Sequence, residues 1–121
     1  MVHALPVVIV GGGIGGVATA VALGRQGRRV MLLEQADQIG AIGYGVQIGP
    51  NVLPMLERLG VGAATLEKAY LPSEIRWNEL GTGRLLAEIP LRTDAFARRY
   101  GGSRYIAIHR VDLHELLLAA C

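Results

Sequence analysis

The stretch Val7-Val8-Ile9-Val10-Gly11-Gly12-Gly13-Ile14-Gly15-Gly16 decides the fold. Four apolar β-branched residues in a row read as a buried strand. A glycine turn follows at once, and Ala18, Val21 and Ala22 then give the next segment a helical packing face. Gly11, Gly13 and Gly16 fill the spacing G-x-G-x-x-G. In that pattern the first glycine makes the tight turn out of the strand. The second leaves room for a pyrophosphate against the backbone, and the third lets the helix pack closely on the sheet. The free N–H groups of the first helical turn face the phosphates, backed by the positive end of the helix dipole.

Working outward, the helix is expected from Ile14 to Gln26, with Gly27 as a left-handed cap. A second strand, Arg29 to Leu33, ends on Glu34, which stands 18 residues after Gly16. A carboxylate there accepts hydrogen bonds from the hydroxyls of an adenosine ribose. It repels a 2′-phosphate, and Gln35 and Ala36 beside it bring no cation. The pattern therefore suits FAD or NAD rather than NADP. The context of strand, helix, strand and acid raises the motif well above an isolated glycine match.

Composition narrows the class. A chain of 121 residues suggests one domain. Its net charge of +2, scattered along the chain, gives no footprint for nucleic acid. The single cysteine, Cys121, excludes an internal disulfide and a cysteine-based zinc site. His3, His109 and His114 have no partners at a metal-ligand spacing, so no metal is expected and the histidines carry no assigned role. No nucleophile motif is present. No apolar run reaches the ~18 residues of a membrane span, and no basic segment precedes the first apolar run, so a cytoplasmic protein with no membrane contact is expected.

Beyond Glu34, four glycines between positions 40 and 49 disfavour a helix, while Ile39, Ile42, Val46 and Ile48 argue for a structured loop near a ligand. Pro50 to Leu59 reads as a helix with Leu53, Leu56 and Leu59 on one face, closed by Gly60. A further helical turn is expected within Val61 to Ala69. From Ser73 the period changes to two, and Gly81-Thr82-Gly83 marks a β-hairpin turn. Trp77, the only tryptophan, is expected in the core. Thr93 or Asp94 caps a short helix that Gly101-Gly102 ends. A strand over Arg104 to His109 and a leucine-rich helix from Val111 complete the chain.

Three stretches together resemble the single-component FAD monooxygenases that hydroxylate aromatic rings, with the 3-hydroxybenzoate 6-hydroxylases and salicylate hydroxylases nearest. They are the glycine turn with Glu34, the run Gly40-Ala41-Ile42-Gly43-Tyr44-Gly45-Val46-Gln47 into Gly49-Pro50-Asn51, and Ile108-His109-Arg110-Val111-Asp112-Leu113. The resemblance implies an incomplete Rossmann-like FAD-binding domain: a βαβ unit, a glycine-rich loop, a helix and a β-hairpin. Residues 1–121 would form its N-terminal part, with the remainder of the enzyme absent. It further implies a cofactor-binding turn of Gly11, Gly13, Ile14, Gly15 and Gly16, in which Gly13, Ile14 and Gly15 cradle the FAD pyrophosphate. Glu34 would bind the adenosine ribose, with Gln35 beside it also cofactor-binding; Gly45, Val46 and Gln47 would lie near the flavin, and Arg110 on the cofactor. NADH or NADPH and O₂ would be co-substrates of the intact enzyme, a phenolic aromatic acid its substrate. The catalytic residues are unassigned. The chain alone is expected to be inactive and to self-associate as a homo-oligomer. Two alternatives stand beside this reading: an NAD-binding dehydrogenase domain, and a non-enzymatic remnant.

Overall fold

The computed structural model describes residues 5–37 and 43–121. In chain order the elements are β1 (Val7–Val10), α1 (Ile14–Gly24), β2 (Val30–Leu33), β3 (Gly45–Ile48), α2 (Leu53–Arg58) and α3 (Gly62–Lys68). There follow β4 (Glu74–Asn78), β5 (Leu85–Pro90), α4 (Asp94–Arg99), β6 (Ile106–His109) and α5 (Arg110–Ala119). The strands form three pairs. β1 and β2 run parallel, with Val7 opposite Val30 and Val10 opposite Leu33. β3 and β6 are antiparallel, and so are β4 and β5.

The βαβ unit expected from the sequence is present. α1 stops at Gly24, two residues before Gln26, because the Arg28 N–H turns back to the Leu23 carbonyl and Gly27 takes φ +73°. Its buried face is Val17, Ala20 and Val21, whereas Ala18 and Ala22 are only half-buried. The shift has a cause: α1 packs against α5 as well as the sheet, so the core lies on the Val17 side. β1 and β2 are covered on one face alone. Val8, Val10, Met31 and Leu33 point the other way and are exposed, which corrects the expectation of a fully buried strand.

The core gathers elements far apart in sequence. One buried cluster joins Val17 of α1, Ile48 of β3, Leu53 and Leu56 of α2, Ile106 and Ile108 of β6, and Leu113 and Leu117 of α5. α5 is thus central to the packing, with Leu117 fully buried; burial of one such side chain contributes about 1.5–3 kcal/mol. Part of the glycine-rich run is not a loop. Gly45–Ile48 pairs with β6, Ile48 opposite Ile106, because alternate apolar side chains reach the core while the glycine at position 45 sits at the strand's start. Positions 38–42, and with them Gly40, Ile39 and Ile42, lie outside the described residues.

The helices after it follow the sequence, except that α2 begins at Leu53 rather than Pro50, because positions 50–52 first make a turn in which the Val52 N–H donates to the Gly49 carbonyl. Leu53 and Leu56 are buried, Pro54 sits in the first turn of α2, and Gly60 at φ +81° ends it. The Thr93 hydroxyl accepts from the Phe96 N–H at 3.2 Å and caps α4. The hairpin forms as expected, but Glu79 and Arg84 close a four-residue rather than a three-residue loop. Trp77 is 47% exposed rather than in the core, and every residue of β5 is exposed. Alternation made the strands, and β4 and β5 then pack chiefly on each other, which leaves Trp77 half-exposed.

Candidate dinucleotide site

The glycine turn is held from several directions. Gly11, at φ +105°, donates its N–H to the Leu33 carbonyl at 2.7 Å and so carries the parallel ladder past the end of β1. A Cβ on Gly16 would collide with the Gly11 carbonyl oxygen, which fixes glycine there as the point of close helix–strand approach. A Cβ on Gly13 or Gly15 would meet nothing within 4 Å. The turn is therefore tight underneath and open above.

Gly13 is the N-cap of α1, in extended conformation, with no side chain capping the helix and no acidic residue in the first turn. Its carbonyl accepts from the Val17 N–H at 2.9 Å, so the helical ladder begins there. The N–H groups of the first turn have no intrahelical acceptor. They present donors and a positive dipole end to the open side of the turn, an arrangement that favours an anion.

Glu34, at the end of β2, reaches this turn. Its Oε2 accepts from the Gly12 N–H at 2.6 Å and its Oε1 from the Ala36 N–H at 2.9 Å. The Ala36 N–H, then that of Gly12, hold the carboxyl below the usual carboxylate range; burial opposes them, and the Gln35 N–H adds a lesser lowering. An ionised carboxylate offers about four lone-pair sites, so acceptor capacity remains for a diol. Gln35 is exposed beside it.

The other expected residues gather a short way along the chain. Gly45, Val46 and Gln47 lie in β3 opposite His109, Ile108 and Ala107. Gln47 accepts from the Tyr105 hydroxyl at 2.6 Å. Arg110 opens α5; its N–H donates to the Tyr44 carbonyl at 3.0 Å and its side-chain stem lies against Gly43, where a Cβ would fall 2.9 Å from Cδ. The site residues thus form two groups, the turn with Glu34 and the β3–Arg110 group.

One residue left without a role in the sequence joins the two groups. His114 is 2% exposed, and its Nε2 lies 2.6 Å from the Gly12 carbonyl oxygen. It stands one helical turn after Arg110 on the same face of α5, so that face looks toward the glycine turn. His109 also has a local role, its Nδ1 accepting from the Val111 N–H at 3.3 Å as the cap of α5. A lone histidine in a leucine-rich helix gives no sequence signal for a partner 102 residues upstream.

A cleft of about 500 Å³ lies elsewhere, lined by Leu71, Arg92, Phe96, Arg104 and Tyr105 among others, and shares no residue with the turn. A phosphate-receiving turn is a crest of backbone donors, so cleft volume is a poor guide to it. Among the described residues, no group of three metal-ligating side chains occurs and no helix is long and apolar enough to cross a membrane.

Residues 9–73 match the NAD(P)-binding Rossmann-like domain family. The chain belongs to that family. Among curated relatives, it is 45% identical over 99% of its length to 3-hydroxybenzoate 6-hydroxylase of Klebsiella oxytoca. It is 39% identical over 94% of its length to 6-hydroxynicotinate 3-monooxygenase of Pseudomonas fluorescens. The chain spans about 30% of the length of these relatives. The resemblance to aromatic hydroxylases read from the sequence is thus borne out, as a match to a part of them. The fold agrees. Klebsiella pneumoniae HpxO, complexed with FAD and uric acid, superposes with a TM-score of 0.77 at 24% identity, over 95% of this chain and 28% of that one. The tetrameric form of 2-methyl-3-hydroxypyridine-5-carboxylic acid oxygenase superposes with a TM-score of 0.78, also at 24% identity, over 95% and 28%.

Proposed function

We propose that this chain is the part of an FAD-dependent aromatic hydroxylase that receives the ADP half of FAD. The observation that carries the reading is the pairing of an open, uncapped glycine turn with an ionised Glu34 at its edge. The open side at Gly13 and Gly15 fits a diphosphate, and the remaining acceptor sites of Glu34 fit the adenosine ribose. Gly11 and Gly16 shape the turn, Ile14 opens the helix, and Gln35 borders the ribose. Arg110, whose guanidinium matches phosphate or ribose oxygens, would reach the cofactor from the start of α5, with Gly45, Val46 and Gln47 in the strand paired to β6. FAD when bound supplies the redox and oxygen chemistry; the protein binds and orients it.

For the whole protein the relatives' names favour a hydroxylated aromatic acid as substrate, with NADH or NADPH as reductant. Close matches to hydroxylases over nearly the whole chain weigh against a dehydrogenase. We read residues 1–121 as the N-terminal part of the FAD-binding domain, in a cytoplasmic protein. Self-association is supported by the uncovered face of Val8, Val10, Met31 and Leu33. One structural neighbour is a tetramer.

Calorimetric titration of the chain with ADP, FAD and NAD tests the reading. ADP should bind, and FAD should bind no more than about tenfold tighter, since the glycine turn and Glu34 serve the ADP half and only Gly45, Val46 and Gln47 are expected near the flavin. Absence of ADP binding would refute the reading. FAD binding orders of magnitude tighter than ADP would show that flavin contacts also lie within these residues.

A further inference from the structure

Gly12 is clamped on both sides of its backbone. Its N–H donates to Glu34 Oε2 at 2.6 Å, and its carbonyl oxygen lies 2.6 Å from His114 Nε2. Two buried backbone groups at the centre of a turn would otherwise lack partners, because the turn interrupts both the strand ladder and the helix ladder. Glu34 comes from the βαβ unit itself. His114 does not: it comes from α5, well beyond the residues that match the Rossmann-like family. Its helix is anchored by Leu113 and Leu117 in the core and packed against α1, the helix the turn feeds. A ring held on so rigid a support carries a fixed donor.

We propose that His114 is a positioning residue for the dinucleotide site: Nε2–H donates to the Gly12 carbonyl and holds the turn in the form that admits a diphosphate. The inference rests on the reading of this site as an ADP-binding turn. A carbonyl oxygen only accepts, so Nε2 must carry the proton. With Gly12 fixed at both ends, the N–H groups of Gly13, Ile14 and Gly15 are aimed before a ligand arrives, and less ordering cost falls on binding. α5 thereby closes the site from behind, and the strand–turn–helix motif depends on a residue outside itself.

Two measurements test this on the whole chain. Imidazole ¹⁵N NMR of the unliganded parent should find His114 Nε2 as the protonated nitrogen. An Nε2 without a proton would overturn the proposal, whatever the variants do. The second compares amide hydrogen exchange and ADP titration for the parent, His114→Phe and His114→Gln. Phenylalanine keeps a ring of similar size without the donor; glutamine restores a donor near the Nε2 position. The proposal expects exchange at Gly12, whose N–H Glu34 holds, to speed up about tenfold in His114→Phe while α1 and α2 stay protected. ADP affinity should fall about tenfold, and His114→Gln should recover most of both. Turn exchange equal to the parent's in His114→Phe would overturn it. So would equal loss in Phe and Gln variants, which would mark mere packing. If the parent itself binds no ADP, the functional reading fails, and the exchange and NMR results still decide the role of His114.

Discussion

Gly12 and Leu86 mark two kinds of backbone in one small chain. At Gly12 the N–H and the carbonyl are each held by a side chain from another element, and the turn sits over a core that includes Val17 and Leu117. Leu86 lies in β5, where every residue is exposed and the partner strand β4 supplies nearly all the contacts. The hairpin is ordered by its neighbour in sequence; the turn is ordered by residues 22 and 102 positions away. Disturbance of the turn should therefore spread through the molecule, and disturbance of the hairpin should stay where it is made.

The sharpest way to break that contrast is Gly16→Ala. The added Cβ collides with the Gly11 carbonyl, which is backbone and cannot turn aside. Over-packing of this kind costs about 1–3 kcal/mol, read as a lowered urea midpoint with unchanged slope. A midpoint equal to the parent's would mean that helix and strand are not as close as described.

The Glu34 clamp gives a pH-dependent test. Backbone N–H groups, Ala36 first and Gly12 next, hold its carboxyl below 4.5 in the folded chain. A carboxyl depressed on folding contributes stability above its unfolded value, and that contribution is lost as pH falls through the folded value. The parent should thus exceed Glu34→Gln in stability at neutral pH, and the difference should shrink as pH drops below about 4.5. Urea titrations at several pH values check it; a difference that does not change with pH would contradict the clamp.

The smallest effect belongs to the hairpin. Leu86→Ser should move stability by no more than about 0.5 kcal/mol. A larger loss would mean that β5 is covered in solution, by a second copy of the chain for instance, and light scattering over a dilution series would then show association.

How far the sequence carried this picture follows the same divide. The βαβ unit, the glycine spacing, Glu34, the capped helix α4 and the leucine face of α2 were legible, because each is set by residues near one another in the chain. β3 was misjudged because glycine lowers strand propensity locally, while its partner β6 lies about sixty residues away. Trp77 was misjudged because period-two alternation makes a strand whether or not anything lies over it. His114 was invisible because its partner is a backbone carbonyl, and backbone groups leave no mark in a sequence.

The central claim, that the crest at Gly13 receives a diphosphate, is tested most directly by Gly13→Val. Valine accepts the extended conformation seen there, φ −72° and ψ 179°, and its Cβ meets nothing within 4 Å. The account predicts a folded protein whose stability lies within about 1 kcal/mol of the parent's. By calorimetry, its ADP affinity should be lower by tenfold or more, because the side chain fills the space the phosphate needs. A variant that folds and binds ADP as the parent does would contradict the account.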